Sequence, residues 1–281
     1  MKLSLATSVS DYRNKVDSLL LKKECCNNLI LGLLGNFQED EPDCYLGYVE
    51  RDGEVIYAFM QTPPHNWILA DVESVEKAVL EEIASFIYDK DLHVPGVLGP
   101  DLYVERFVSK YENLSKRNAN LHMNELIYQL DLVQVEIDGN GQLVQASNED
   151  YSLIKSWLIQ FGIEARVPIT EQRASILART YLENGSVYLW KLKNRAVSMV
   201  NKSRQTKHGA TVNAVFTPDE FKRNGYATNV VAALSQKLLD EGLKFCSLYT
   251  DRSNPTSNSI YKKIGYKEVG TSIVYHFEKI D

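Results

Sequence analysis

The run Lys222-Arg223-Asn224-Gly225-Tyr226-Ala227 places two cations and a glycine between an apolar stretch and a segment of helical periodicity. The apolar stretch, Thr211–Thr217, reads as a strand and stops at Pro218, which cannot continue a central ladder. Beyond it, Ala227, Val231, Leu234 and Leu238 recur at helical spacing, so a helix opens near Tyr226. The first turn of a helix leaves N–H groups unpaired and carries partial positive charge. Gly225 lets a ligand approach that backbone, and Lys222 and Arg223 add full charge, an arrangement suited to a pyrophosphate. An ordinary strand–loop–helix corner with a solvated basic face has the same pattern, because single-glycine loops are common.

A second group of residues lies farther along. Asn254-Pro255 is a good helix start, with Asn as cap and Pro in the first helical position. Asn254, Asn258 and Tyr261 then share one stripe at i, i+4 and i+7, beside a core face carrying Ile260 and Ile264. Two amides and a phenol on one stripe suit an amide-rich chain such as pantetheine. A capped amphipathic helix accounts for Asn254 equally well, and for Asn258 and Tyr261 less well.

The elements that must position these residues follow from periodicity and turn chemistry. The first half reads as helices Asp11–Lys23 and Cys26–Phe37, a hairpin of Tyr45–Arg51 and Val55–Gln61 around Asp52-Gly53, and a short strand Trp67–Ala70. A helix at Val75–Asp89, a strand at Val97-Leu98, a helix at Leu102–Tyr111 and a strand at Glu125–Leu132 come next. Gly and Asn around 138–142 mark a turn, which sets the expected division into 1–136 and 137–281. The second half repeats the order. Helices Glu149–Phe161 and Glu171–Glu183 precede strands Val187–Lys191, Ala196–Lys202 and Thr211–Thr217. A helix Tyr226–Glu241, a strand Phe245–Thr250, a helix Asn254–Ile264 and a strand Ile273–Glu278 complete it. The expected class is α/β (α+β), a mixed central sheet flanked by helices, in two tandem copies of one unit.

The loop and the later helix together resemble the GNAT N-acetyltransferase superfamily, whose cofactor loop reads Gln/Arg-x-x-Gly-x-Gly/Ala. Here it stands as Lys222-Arg223-Asn224-Gly225-Tyr226-Ala227, with Lys at the first position. The family's Asn-x-x-Ala-x-x-hydrophobic-Tyr, followed by Gly-Phe/Tyr, resembles Asn254-Pro-Thr-Ser257-Asn-Ser-Ile260-Tyr261 and Gly265-Tyr266, with Ser257 for Ala. The resemblance covers most of 145–281 and implies an acyl-CoA N-acyltransferase fold that uses acetyl-CoA as co-substrate. In that reading an amine attacks the thioester directly. Val215, Phe216 and Thr217 hold the pantetheine through their main chain, and the amides of Arg223, Asn224, Gly225, Tyr226, Ala227 and Thr228 hold the pyrophosphate with the Lys222 and Arg223 side chains. Tyr261 protonates the departing thiolate, a phenol near ~10 serving a thiol near ~8.5. Glu164, in the Phe161–Arg166 stretch, is a candidate base toward the acceptor, and a solvated loop carboxylate fits it as well. The resemblance also implies a worn, non-binding copy in the first half. There the strand Trp67–Ala70 is followed by Asp71-Val-Glu-Ser-Val-Glu, an acidic helix entrance without glycine that repels phosphate.

Charge divides unevenly. Residues 1–136 carry 12 Lys/Arg against 23 Asp/Glu, and 137–281 carry 19 against 14, so the basic half is the one suited to an anion. No long basic run interleaved with aromatics speaks for nucleic acid. No apolar run reaches the roughly 18 residues of a membrane span, and the first residues lack the apolar core of a signal peptide. Cysteines at 25, 26, 44 and 246 have no metal-ligand spacing. The expectation is a cytoplasmic enzyme without a metal, acting on a small-molecule or peptide amine, its oligomeric state open. A non-catalytic acyl-CoA-binding module is the alternative from another class.

Overall fold

A computed structural model of the chain describes residues 1–37 and 44–278. The first copy runs β1 (Lys2–Leu5), α1 (Val9–Leu20), α2 (Asn28–Asn36), β2 (Tyr45–Arg51), β3 (Glu54–Gln61), β4 (Trp67–Leu69), α3 (Lys77–Asp89), β5 (Gly96–Gly99), α4 (Asp101–Ser115) and β6 (Ala119–Leu130). The second runs β7 (Gln142–Gln145), α5 (Tyr151–Glu164), α6 (Glu171–Glu183), β8 (Val187–Leu192), β9 (Arg195–Gln205), β10 (Gly209–Phe216), α7 (Tyr226–Asp240), β11 (Phe245–Asp251), α8 (Pro255–Ile264) and β12 (Lys267–Phe277). The two copies have the same order of strand and helix, so the tandem α/β expectation holds.

Compactness follows contacts and not chain order. One unit comprises 1–127, 250–254 and 268–281, and the other 128–249 and 255–267. A single cut at 136/137 does not describe these units. The difference comes from β12, the last strand in the chain, which pairs antiparallel with β5 through Ile273↔Gly99 to His276↔Gly96.

In the first unit the strand order is β1-β2-β3-β4-β5-β12-β6. The Asp52-Gly53 turn joins β2 and β3, with both residues at positive φ as a two-residue hairpin requires. Helices α3 and α4 bury Val79, Ile83, Val104 and Phe107 against Tyr57, Phe59 and Trp67. Helices α1 and α2 cover another set, with Tyr12, Val16 and Ile30 against Ala58, Met60 and Ile68.

In the second unit the order is β11-β10-β9-β8-β7, antiparallel except for the parallel pair β10–β11. Helices α5 and α6 pack Ile154, Trp157, Leu158 and Ala178 onto Leu189, Met199 and Phe216. Helix α7 buries Val231, Leu234 and Leu238, each contributing about 2 kcal/mol of apolar burial. That anchor fixes where its N-terminus points.

Two short strands, β1 and β7, are absent from the sequence expectation. Gln-Leu-Val-Gln and Lys-Leu-Ser-Leu are too short for period to register, and each lies at the edge of its sheet, paired with β8 and β2 respectively. Among the described residues no helix is long and apolar enough to cross a membrane.

Candidate functional site

Strand β10 changes character along its length. Its parallel ladder with β11 runs from Gly209↔Phe245 to Thr211↔Ser247, and the later residues of β10 have no register partner there. Toward β9 the register shifts between Asn213↔Asn201 and Phe216↔Met199, two residues opposing one. Ala214 in this bulge has φ +47, in the left-handed region. A bulge bends its strand and re-aims the backbone. Val215, Phe216 and Thr217 therefore lie beyond the last β11 pairing. Phe216 is seated by its ring on Trp157, centroids 5.9 Å apart. The Ser198 hydroxyl donates to the Phe216 carbonyl at 3.0 Å and lies 2.8 Å from the Thr217 hydroxyl.

After Pro218 a single 3₁₀ turn leads into the loop. Arg223 has φ +66 and Gly225 φ +79, two left-handed residues on either side of Asn224. Asn224 locks the turn by donating its amide to the carbonyls of Phe221 and Lys222, both at 3.1 Å. Such alternation turns successive N–H groups into one concavity. Gly225 is the N-cap of α7 and supplies no side chain to it. The contrast with α6 is direct, because there Thr170 caps the Arg173 amide at 3.2 Å. The first helical bond of α7 is Asn229 N–H to the Gly225 carbonyl. Among the described residues, none of the N–H groups from Arg223 through Thr228 meets an acceptor. Space is open beside Gly225, where a β-carbon would meet only the Asn229 amide nitrogen, 3.9 Å away. Six consecutive donors without an acceptor at a helix N-terminus, with open space beside Gly225, fit a diphosphate.

The charges sit differently from the sequence expectation. The Lys222 ammonium is 2.7 Å from a Glu164 carboxylate oxygen and 2.7 Å from one of Asp219. Desolvation pulls that ammonium down, and the hydrogen bonds to Asp219 and Glu164 outweigh it, so it stays protonated above its usual range. Glu164 is the last residue of α5. The structure thus brings Glu164 to the anion loop, and its pairing with Lys222 is a contact that the sequence does not indicate.

Helix α8 begins at Pro255 as its sequence indicates. Tyr261 is 8 % exposed and packs between Tyr128 and Tyr266, centroids 6.4 and 6.0 Å away. Burial pushes its phenol up to about 12. Its hydroxyl meets no hydrogen-bond partner among the described residues, whereas the neighbouring Tyr266 hydroxyl is tied to Ser235 at 2.8 Å. Asn258 is half-buried on the same helix. Asn254 is exposed, its N–H donating to the Asp251 carbonyl at 3.0 Å, and belongs to the 250–254 segment of the first unit.

The equivalent place in the first unit is filled from within. After β4 the Asp71 main chain is held on both sides by Asn27, whose side-chain oxygen accepts the Asp71 N–H at 2.8 Å and whose amide donates to the Asp71 carbonyl at 2.8 Å. The Asp71 carboxylate pairs with Lys23 at 2.6 Å. No glycine follows, and α3 starts only at Lys77.

Residues 192–274 match the family described as FR47-like protein. Comparison with curated proteins yields no match. Among solved structures, an acetyltransferase from the GNAT family of Colwellia psychrerythraea is similar over 99% of this chain and 100% of its own, at 14% identity and TM-score 0.58. A GCN5-related N-acetyltransferase from Sphaerobacter thermophilus is similar over 100% and 97%, at 11% identity and TM-score 0.62. A tandem GNAT protein from the clavulanic acid biosynthesis pathway is similar over the full length of both chains, at 12% identity and TM-score 0.56. The chain therefore has the acyl-CoA N-acyltransferase fold of the GNAT proteins, with an FR47-like segment that spans the loop and helix of the candidate site.

Proposed function

We propose that this chain is an N-acetyltransferase that binds acetyl-CoA in its second unit and moves the acetyl group to a primary amine by direct attack. The observation that carries the reading is the row of N–H donors from Arg223 to Thr228, uncapped and opening on free space beside Gly225. These donors hold the diphosphate. The stretch of β10 beyond its β11 pairing, Val215–Thr217, offers main-chain groups to the pantetheine arm, and its N–H groups lie where a thioester carbonyl can be polarised. Asn258 is assigned to the same arm.

The amine nitrogen forms a bond to the carbonyl carbon, the carbon–sulfur bond breaks, and the sulfur leaves with the electron pair. One proton departs from nitrogen to solvent and one arrives at sulfur. Tyr261 is the donor toward sulfur. With its phenol raised to about 12, far above a thiol near ~8.5, it remains protonated through neutral pH and acts first as a hydrogen-bond donor to the developing thiolate. Glu164 is not assigned the base role, because it stands beside Lys222 at the diphosphate end.

The reading is tested by following free thiol release from acetyl-CoA in the presence of a panel of primary amines. Amine-dependent release together with an acetylated product is the expected result. Tight acetyl-CoA binding with no release for any amine would favour a binding module without catalysis.

A further inference from the structure

Lys222 stands at the lip of the donor row and is shared between two carboxylates. Asp219 is local, three residues back, and its side chain is 89% exposed, so it exchanges readily with water. Glu164 is different. It comes from 58 positions away, closes α5, and at 44% exposure is far less open to water than Asp219. Two carboxylates share the Lys222 ammonium and offset its charge, leaving Arg223 as the neighbouring cation at the point where the diphosphate of a bound cofactor must approach.

The residue that holds Lys222 also ends the helix before a tight corner. That corner closes through Ala165 N–H to the Phe161 carbonyl, Arg166 N–H to Ile163 and Val167 N–H to Gly162. Arg166 is left-handed at φ +57, and Ile163 and Val167 are 66% and 42% exposed. Phe161 and Ile169 pack this corner onto the core, and the Lys222–Glu164 pair ties the last residue of α5 to the anion loop.

We propose that Glu164 is an internal counter-charge that competes with the cofactor diphosphate for Lys222, so that acetyl-CoA binding transfers Lys222 to the diphosphate and releases the α5–α6 corner. The inference rests on the cofactor reading above and adds its regulation. Glu164 acts through Lys222 and is a positioning residue. It sets cofactor affinity below what the donor row alone would give, and it makes the freedom of the 163–170 corner depend on cofactor occupancy.

The test is calorimetric titration of acetyl-CoA into wild type, Glu164→Gln, Lys222→Ala and the double variant, with amide hydrogen exchange of 163–170. Glu164→Gln binds about two- to five-fold tighter at low salt, and the difference shrinks as salt rises from about 20 to about 500 mM. On the Lys222→Ala background the same change has no effect. In wild type the 163–170 amides exchange faster once acetyl-CoA is bound, and in Glu164→Gln they are fast already. Equal or weaker binding by Glu164→Gln, tightening that persists without Lys222, or no acceleration of exchange overturns the proposal while leaving the cofactor reading intact. Absence of acetyl-CoA binding to wild type overturns both.

Discussion

Tyr261 and Lys222 show how burial and pairing decide what a side chain can do. A tyrosine at the surface would titrate near ~10. Packed among Tyr128 and Tyr266, Tyr261 loses the hydration that its anion needs, so its proton is held to about 12. Tyr261→Phe keeps the ring and removes the donor. A hydrogen bond to a charged partner is worth about 1.5–3 kcal/mol, so kcat falls about 10- to 100-fold while acetyl-CoA affinity stays within about three-fold. Because deprotonation waits until well above pH 10, the wild-type kcat profile has no tyrosine-derived falling limb between pH 7 and 10. A limb in that interval that disappears in Tyr261→Phe would show a lower phenol pKa than burial gives. The motif position of Tyr261 was readable from the chain, since Asn254, Asn258 and Tyr261 share a helical stripe. The Lys222–Glu164 pair was not, because nothing local to either residue specifies a partner 58 positions distant.

At the scale of the element, the decisive feature is the bulge in β10. A left-handed alanine costs about 1–2 kcal/mol, and a strand glycine loses about 0.5–1 kcal/mol in chain entropy plus about 0.8 kcal/mol for the buried methyl. These terms cancel, so Ala214→Gly leaves stability within about 1 kcal/mol in urea unfolding. Ala214→Val forces a β-branched residue to φ +47 inside a packed site and loses about 2–4 kcal/mol. If Ala214→Gly instead lost about 2 kcal/mol with Ala214→Val neutral, the strand would be regular there. The periodic elements that bury a clear face (α6, α7, β2, β10) came within about two residues of their sequence boundaries. The bulge itself left no trace in Thr-Val-Asn-Ala-Val-Phe, which alternates without a glycine. The edge strands β1 and β7 were invisible for the related reason that four residues carry almost no period.

At the scale of the whole molecule, one element order written twice has diverged at the loop after the fourth strand of each copy. In the first unit the Asn27 amide holds the Asp71 main chain, Lys23 pairs with its carboxylate, and no glycine follows before α3. In the second, two left-handed residues, Arg223 and Gly225, leave six donors without an acceptor. The acidic and basic halves of the sequence, and the glycine that only the second loop carries, point to the proposed division of labour. The placement of β12 with β5 could not be read from the chain, because strand pairing across more than 160 positions has no local signature. A single cofactor site per chain, in the second unit, is the expected outcome. The most direct test is calorimetric titration of acetyl-CoA into wild type and Gly225→Glu, where the substitution places a carboxylate and a strained φ +79 residue in the open cradle. Micromolar binding with a stoichiometry near one, lost in Gly225→Glu, is the predicted result. A stoichiometry near two, or binding that survives the substitution, would contradict it.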